Sequence, residues 1–306
     1  MIWKKRGLVW NSGVGAGGFT HAMGPTPFLI DDDTIRVYLT VLDADGRGHV
    51  QYVDVAADNP TRVLAESQGS IFGPGLPGTF DDNGVMALSL VRVPDGRIFL
   101  YYAGFEICHH IRYRIFSGLA ISEDEGGSFH RYSHAPILDR SDGELFFRGG
   151  PFALYEDGRF RMWYVAGSTW MNVAGKQMPV YDLRYVESDD GLHWPSEGQL
   201  SMALTGDDEH GFGRPWVIRR GTGDYQLFYS VRRTSLGAYR LGYAESTDGI
   251  SWTRRDAEMG LDVSPGAFDG QAIMYSAVIE AQGRTWCFYN GDGFGAAGFA
   301  VAERAG

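Results

Sequence analysis

Cysteine is nearly missing: Cys108 and Cys287 are the only two in 306 residues. They lie far apart, and neither has a neighbour at metal-ligand spacing. Each reads as a free thiol, which leaves out a disulfide framework and a structural metal site. No stretch approaches about 18 apolar residues, so a membrane-spanning helix is not expected. There is no basic block either. The 27 Lys and Arg stand against 38 Asp and Glu, a net charge of −11. With nothing clustered to neutralise phosphates, nucleic acid and anionic membrane are not expected partners. Lys4-Lys5-Arg6 is not followed by an apolar run, so it is no secretory signal, and the expected location is the cytoplasm. Helical periodicity of any length is absent, as is any cofactor motif.

What the chain has is a repeat. Val37-Tyr38-Leu39, Leu100-Tyr101-Tyr102, Met162-Trp163-Tyr164, Leu227-Phe228-Tyr229 and Cys287-Phe288-Tyr289 all end a short apolar run. Their last residues are 63, 62, 65 and 60 positions apart. A fixed period of this size marks a repeated supersecondary unit. Before each triplet stands another apolar run, such as Pro27-Phe28-Leu29-Ile30 or Pro215-Trp216-Val217-Ile218. A Gly/Asp turn separates the two, which is a hairpin signal. A third strand follows, for example Leu183-Arg184-Tyr185-Val186. In three units a Ser-x-Asp turn comes next: Ser122-Glu123-Asp124-Glu125-Gly126, Ser188-Asp189-Asp190-Gly191 and Ser246-Thr247-Asp248-Gly249. An aromatic (Phe129, Trp194, Trp252) then opens a fourth strand.

Four antiparallel strands repeated radially describe propeller blades. The expected fold is all-β: one domain, a five-bladed β-propeller. Its blades cover approximately 20–70, 79–138, 144–203, 208–262 and 268–303. The fifth unit stops after three strands. Residues 1–10, which resemble the fourth-strand stretch at Trp252, are expected to complete it and close the ring.

In such a ring the first strands line the axis, and residues just before them converge. With the units aligned on Pro27, Ser89, Pro151, Pro215 and Ser276, the residues six or seven places earlier are His21, Asp82, Glu144, Glu209 and Asp269. Around them stand Asp81, Arg148, His210, Arg214, Gln271 and Tyr275. Several carboxylates in one funnel raise one another's pKa, and separated values let one act as acid while another stays ionised. Arg148 and Arg214 suit an ionised carboxylate or an anionic substrate group. The same acids also read as turn and loop residues.

These features resemble the five-bladed glycoside hydrolases: the arabinanase/xylosidase and invertase/levansucrase families and their mannoside-phosphorylase relatives. The chain is also similar to uncharacterised propellers found with bacterial polysaccharide genes. The resemblance implies attack on a glycosidic bond by two carboxyls. It places a second-blade acid at Asp81 or Asp82 and matches a third-blade general acid loosely to Glu144. Its first-blade acid is missing, since that position reads Thr20-His21-Ala22-Met23.

The leading expectation is therefore a sugar-active enzyme, with no cofactor and no metal-binding residues assigned. Glu209 is its general acid, with Asp82 or Asp269 as base or nucleophile. Glu144 completes the catalytic candidates. His21, Asp81, Arg148, His210, Arg214, Gln271 and Tyr275 are the substrate-binding candidates. The partner is a sugar or oligosaccharide. A non-catalytic carbohydrate-binding propeller, or a phosphorolytic or anionic-sugar enzyme, are the alternatives.

Overall fold

The computed structural model describes residues 1–12 and 18–305. The first strand, β1, spans Trp3–Trp10. A first set follows: β2 (Thr20–Leu29), β3 (Thr34–Leu42), β4 (Gly48–Ala56) and β5 (Asn59–Glu66). The second is β6 (Val85–Arg92), β7 (Ile98–Ile107), β8 (Tyr113–Ser122) and β9 (His130–Arg131). The third is β10 (Phe147–Glu156), β11 (Arg159–Val173), β12 (Lys176–Ser188) and β13 (Gln199–Met202). The fourth is β14 (Glu209–Gly221), β15 (Asp224–Arg233), β16 (Ala238–Ser246) and β17 (Thr253–Arg254). The last is β18 (Met274–Ala281), β19 (Arg284–Asn290) and β20 (Phe299–Arg304).

Within each set, neighbours in sequence pair antiparallel, and β1 pairs antiparallel with β20, from Trp3 opposite Arg304 to Trp10 opposite Phe299. The first strands pack side by side: β2 on β6, β6 on β10, β10 on β14, β14 on β18, and β18 on β2. They are mostly buried, whereas β5 is exposed along nearly its whole length. No helix among the described residues is long and apolar enough to cross a membrane.

The repeated aromatics hold adjacent sets together. The Tyr38 hydroxyl donates to the Gly126 carbonyl at 2.9 Å, Tyr101 to Gly191 at 2.9 Å, and Trp163 Nε1 to Gly249 at 2.7 Å. Each acceptor sits in the Ser-x-Asp turn of the next set. The turns are shaped for this. Ser122, Ser188 and Ser246 accept from the glycine N–H groups through Oγ, and the glycines adopt φ of 79°, 72° and 72°. Glycine takes that conformation without the steric penalty other residues meet. The sequence signature is thus a socket for the preceding repeat's ring, and Tyr38, Tyr101 and Trp163 are fully buried in it.

First strands begin earlier than the apolar runs suggest, β2 at Thr20 and β14 at Glu209. Each carries a bulge in mid-course, where register slips between Met23 and Thr26, Ala87 and Ser89, Gly149 and Phe152, Gly213 and Trp216, and Met274 and Ala277. Pro25, Pro151 and Pro215 fall inside these bulges, where a missing N–H breaks no ladder. The proline that looks like a strand start is the kink in a longer strand.

Candidate functional site

The bulges border a large cavity. At the kink stand Gly24, Gly150, Arg214 and Tyr275, with φ of 58°, 66°, 41° and 60°. For Arg214 and Tyr275 this left-handed backbone costs about 1–2 kcal/mol each, and such strain gathers at functional sites. Both line a cavity of about 720 Å³, a volume suited to a small ligand. Met23, Met86, Leu88 and Met274 contribute apolar surface, and Phe105, Tyr113, Tyr181, Tyr239 and Phe294 contribute rings.

Its charged groups are mostly cationic. Arg214 is 3% exposed. Its Nη1 donates to the Tyr275 carbonyl at 3.0 Å and Nη2 to Thr26 Oγ1 at 2.7 Å, while Nε has no partner. Burial pulls this guanidinium down to about 9, so it stays charged at neutral pH. Arg232 lies 4.6 Å over the Tyr239 ring, with Nη1 buried and unpartnered. Arg112 and Lys176 are exposed lining residues.

His210 is buried, and its Nδ1 lies 3.3 Å from the Pro179 carbonyl. A carbonyl only accepts, so Nδ1 carries the proton and Nε2 is left as an acceptor. Burial lowers the imidazole's pKa and keeps it neutral at pH 7. Burial pushes the Tyr275 hydroxyl up to about 12, so it is a donor. The sole acid in the lining is Asp292, whose Oδ1 accepts from the Gln271 and Ala272 N–H groups at 2.9 and 2.7 Å.

Of the residues singled out by sequence, His210, Arg214, Gln271 and Tyr275 therefore meet at one cavity. The carboxylates lie outside its lining. Asp81 is fully buried, accepting from Arg131 Nε at 2.8 Å and the Tyr102 hydroxyl at 3.0 Å. Glu144 is 2.5 Å from Arg148 Nε and accepts from the Tyr164 hydroxyl at 2.8 Å. Arg148 also donates to the Asp139 and Pro195 carbonyls, so its guanidinium is occupied. Asp269 is fully buried against Lys5 and the Tyr289 hydroxyl. Glu209 accepts from Arg254 at 2.7 and 2.8 Å. Burial alone raises the Glu209 pKa, but the hydrogen bonds and charge of Arg254 outweigh it and hold the carboxyl below its ordinary value. A general acid needs the opposite shift. Asp82 accepts from the Gly78 N–H and Asn83 Nδ2. His21, half-exposed at φ 64°, lies 3.0 Å through Nδ1 from Thr20 Oγ1 and is not in the lining.

A rule emerges from these placements. Where the aromatic triplet ends in tyrosine, the hydroxyl meets a carboxylate backed by a cation: Tyr102 with Asp81 and Arg131, Tyr164 with Glu144 and Arg148, Tyr229 with Asp256 and Arg254, Tyr289 with Asp269 and Lys5. In the first set the triplet ends in Leu39, and no such acid is needed. Sequence reasoning missed Arg232, Tyr181, Tyr239 and Asp292. One signal was present: three residues beyond the triplets stand Phe105, Arg232 and Asp292, and all three line the cavity.

No family model matches the protein. Among solved structures, it superposes on a complex of BT0996 with RGII at TM-score 0.78 and 19% identity, covering 99% of this protein and 91% of that one. An α-L-arabinofuranosidase from Lactobacillus brevis gives 0.68 at 12% identity, covering 96% and 92%. The GH43_1 enzyme from Xanthomonas citri, complexed with xylose, gives 0.66 at 16% identity, covering 97% and 89%. In sequence, the protein is 32% identical over 303 residues to the uncharacterised protein Rv1502 of Mycobacterium tuberculosis, covering 99% of both. The chain therefore belongs to the family of that mycobacterial protein and has the fold of the β-propeller glycoside hydrolases.

Proposed function

We propose that the protein is a carbohydrate-active propeller of five blades, with β1 completing the last blade and closing the ring, and that its sugar site is the axial cavity. The observation that carries this reading is the cavity itself. The kinks of the first strands turn Arg214 and Tyr275 toward one space, where aromatic rings stand beside a few fixed polar groups. Rings of that kind stack on the apolar faces of sugars. The pairwise packing of the five first strands supports the closed ring, and the shared fold of glycoside hydrolases supports a glycosidic bond as the target.

Within this reading His210 is the proton-transfer group, in place of the carboxyl pair Glu209 with Asp82 or Asp269. Those acids are held in ion pairs or turn contacts outside the cavity lining, whereas His210 is neutral there with Nε2 free to accept. A general base must be unprotonated to act, and a neutral imidazole with a free ring nitrogen meets that condition.

The test is a panel of oligosaccharides and aryl glycosides, with calorimetry for binding and chromatography for released sugar. Phe105→Ala and Tyr275→Ala weaken binding of the sugar that the native protein takes. His210→Gln abolishes its turnover and spares its binding. Binding unaffected by both aromatic changes would place the sugar elsewhere and overturn the reading. Binding with no turnover by the native protein selects the non-catalytic alternative.

A further inference from the structure

We propose that the sugar bound in the axial cavity carries an anionic group, a carboxylate or a phosphate ester, seated between Arg214 and Arg232. The inference rests on the axial cavity being the sugar site. Among the described residues only Arg112, Arg214, Arg232 and Arg304 make no ion pair with a carboxylate, and the first three all line this cavity. Lys176, also without an ion pair, makes a fourth cation there. The protein as a whole carries a charge of −11, so the cavity inverts the sign of the molecule around it.

Burial makes this arrangement informative. An uncompensated buried charge is unfavourable, and proteins normally neutralise it with a partner. Arg214 is 3% exposed and meets only neutral oxygens, the Tyr275 carbonyl and the Thr26 hydroxyl. Its Nε and the Nη1 of Arg232 are buried donors with no acceptor. Arg214 and Arg232 thus each present a donor with nothing to bond. Asp292 makes no hydrogen bond or ion pair with either arginine; its Oδ1 accepts from two backbone N–H groups.

An anion supplies what is missing. A carboxylate or phosphate accepts from several N–H donors of a guanidinium at once, and such bonds are stronger than neutral ones. The two tyrosine hydroxyls beside Arg232 are protonated at neutral pH; one donates to the other, and the second keeps its proton for the anion. Tyr181 and Tyr239 lie 3.1 Å apart, oxygen to oxygen, and burial raises the pKa of both. The rings of Phe105 and Phe294 remain for the sugar face. Arg112 and Lys176, being exposed, steer the anion inward.

The experiment is calorimetry on the full-length protein with matched ligands: glucose against glucuronate and glucose 1-phosphate, galactose against galacturonate and galactose 1-phosphate, and inorganic phosphate and acetate alone. At least one anionic sugar binds about ten- to a hundredfold tighter than its neutral counterpart, as expected for hydrogen bonds to a charged group. That advantage shrinks with added salt and disappears in Arg232→Gln, a half-buried position suited to substitution, while Arg214→Lys reduces it. The uronate and phosphate arms decide which anion is preferred. Neutral and anionic sugars binding alike, or an advantage intact in Arg232→Gln, overturns the inference and leaves the sugar site standing. Failure of every anionic sugar to bind overturns it as well. If inorganic phosphate binds as tightly as the sugar phosphates and no neutral sugar binds, the cavity is not a sugar site and both readings fall.

Discussion

The Tyr164 hydroxyl donates to Glu144 at 2.8 Å, and Arg148 stands 2.5 Å from the same carboxylate. All three side chains are buried. Removing one charge from such a pair strands the other, which typically costs about 3–5 kcal/mol. Glu144→Ala therefore lowers the unfolding free energy by roughly that amount in urea titration. Tyr164→Phe lowers it by about 1–3 kcal/mol, the usual consequence of an unmet buried acceptor. Neither change alters ligand affinity at the axial cavity.

Lys5 and Asp269 make the same point across the two termini. Asp269 is fully buried, and Lys5 reaches it from β1. Lys5→Met destabilises the fold by about 3–5 kcal/mol because the acid is left unpaired. Adding Asp269→Asn to Lys5→Met restores a large part of the loss, so the double-mutant cycle shows strong coupling. Thermal and urea unfolding of the four proteins check this.

Two of the Ser-x-Asp sockets leave no room for a side chain at their glycines. A Cβ at Gly126 would lie 2.1 Å from the Tyr38 hydroxyl, and one at Gly191 would lie 2.6 Å from that of Tyr101. Both positions also have positive φ. Gly126→Ala and Gly191→Ala each cost about 2–4 kcal/mol, combining backbone strain with overpacking. Alanine at Gly158, which has open space around it, costs only the strain. Midpoints of urea denaturation separate the two cases.

These placements show what was readable in the sequence. The triplets at Tyr38, Tyr101 and Trp163, and the Ser-x-Asp turns they enter, are local patterns with a fixed period. They are visible in one dimension. The acids were misleading because their partners are distant: Arg131 lies 50 positions from Asp81, and Lys5 lies 264 from Asp269. A carboxylate before a strand looks the same whether water or a buried guanidinium faces it. The axial positions were offset for a related reason. Pro151 and Pro215 look like strand starts, yet each sits at a kink partway along a longer strand. Arg214 and Tyr275 were among the candidates, but Arg232 was not, since a charged residue late in the second strand breaks no pattern.

Acid sensitivity follows from the socket aspartates. Burial tends to raise the Asp124 carboxyl, but hydrogen bonds from Ser122 and Ser128 outweigh it and draw it to about 2. The unfolded value is near 3.8. In this window the unfolded chain binds more protons than the native one, so stability falls as pH drops from about 4 toward 2. The stabilisation is fully present above about pH 4. Asp124→Asn lowers stability at neutral pH and flattens this acid limb, which thermal melts between pH 2 and 7 record.

The pairing of β1 with β20 has a consequence in time. A ribosome working at about 5–20 residues per second finishes β1 some 15–60 s before β20 exists. Until then β1 has no strand to pair with, and Lys5 waits for Asp269. Of these two strands, the earlier made thus waits for the later. Their pairing joins two segments that leave the ribosome at opposite ends of that interval.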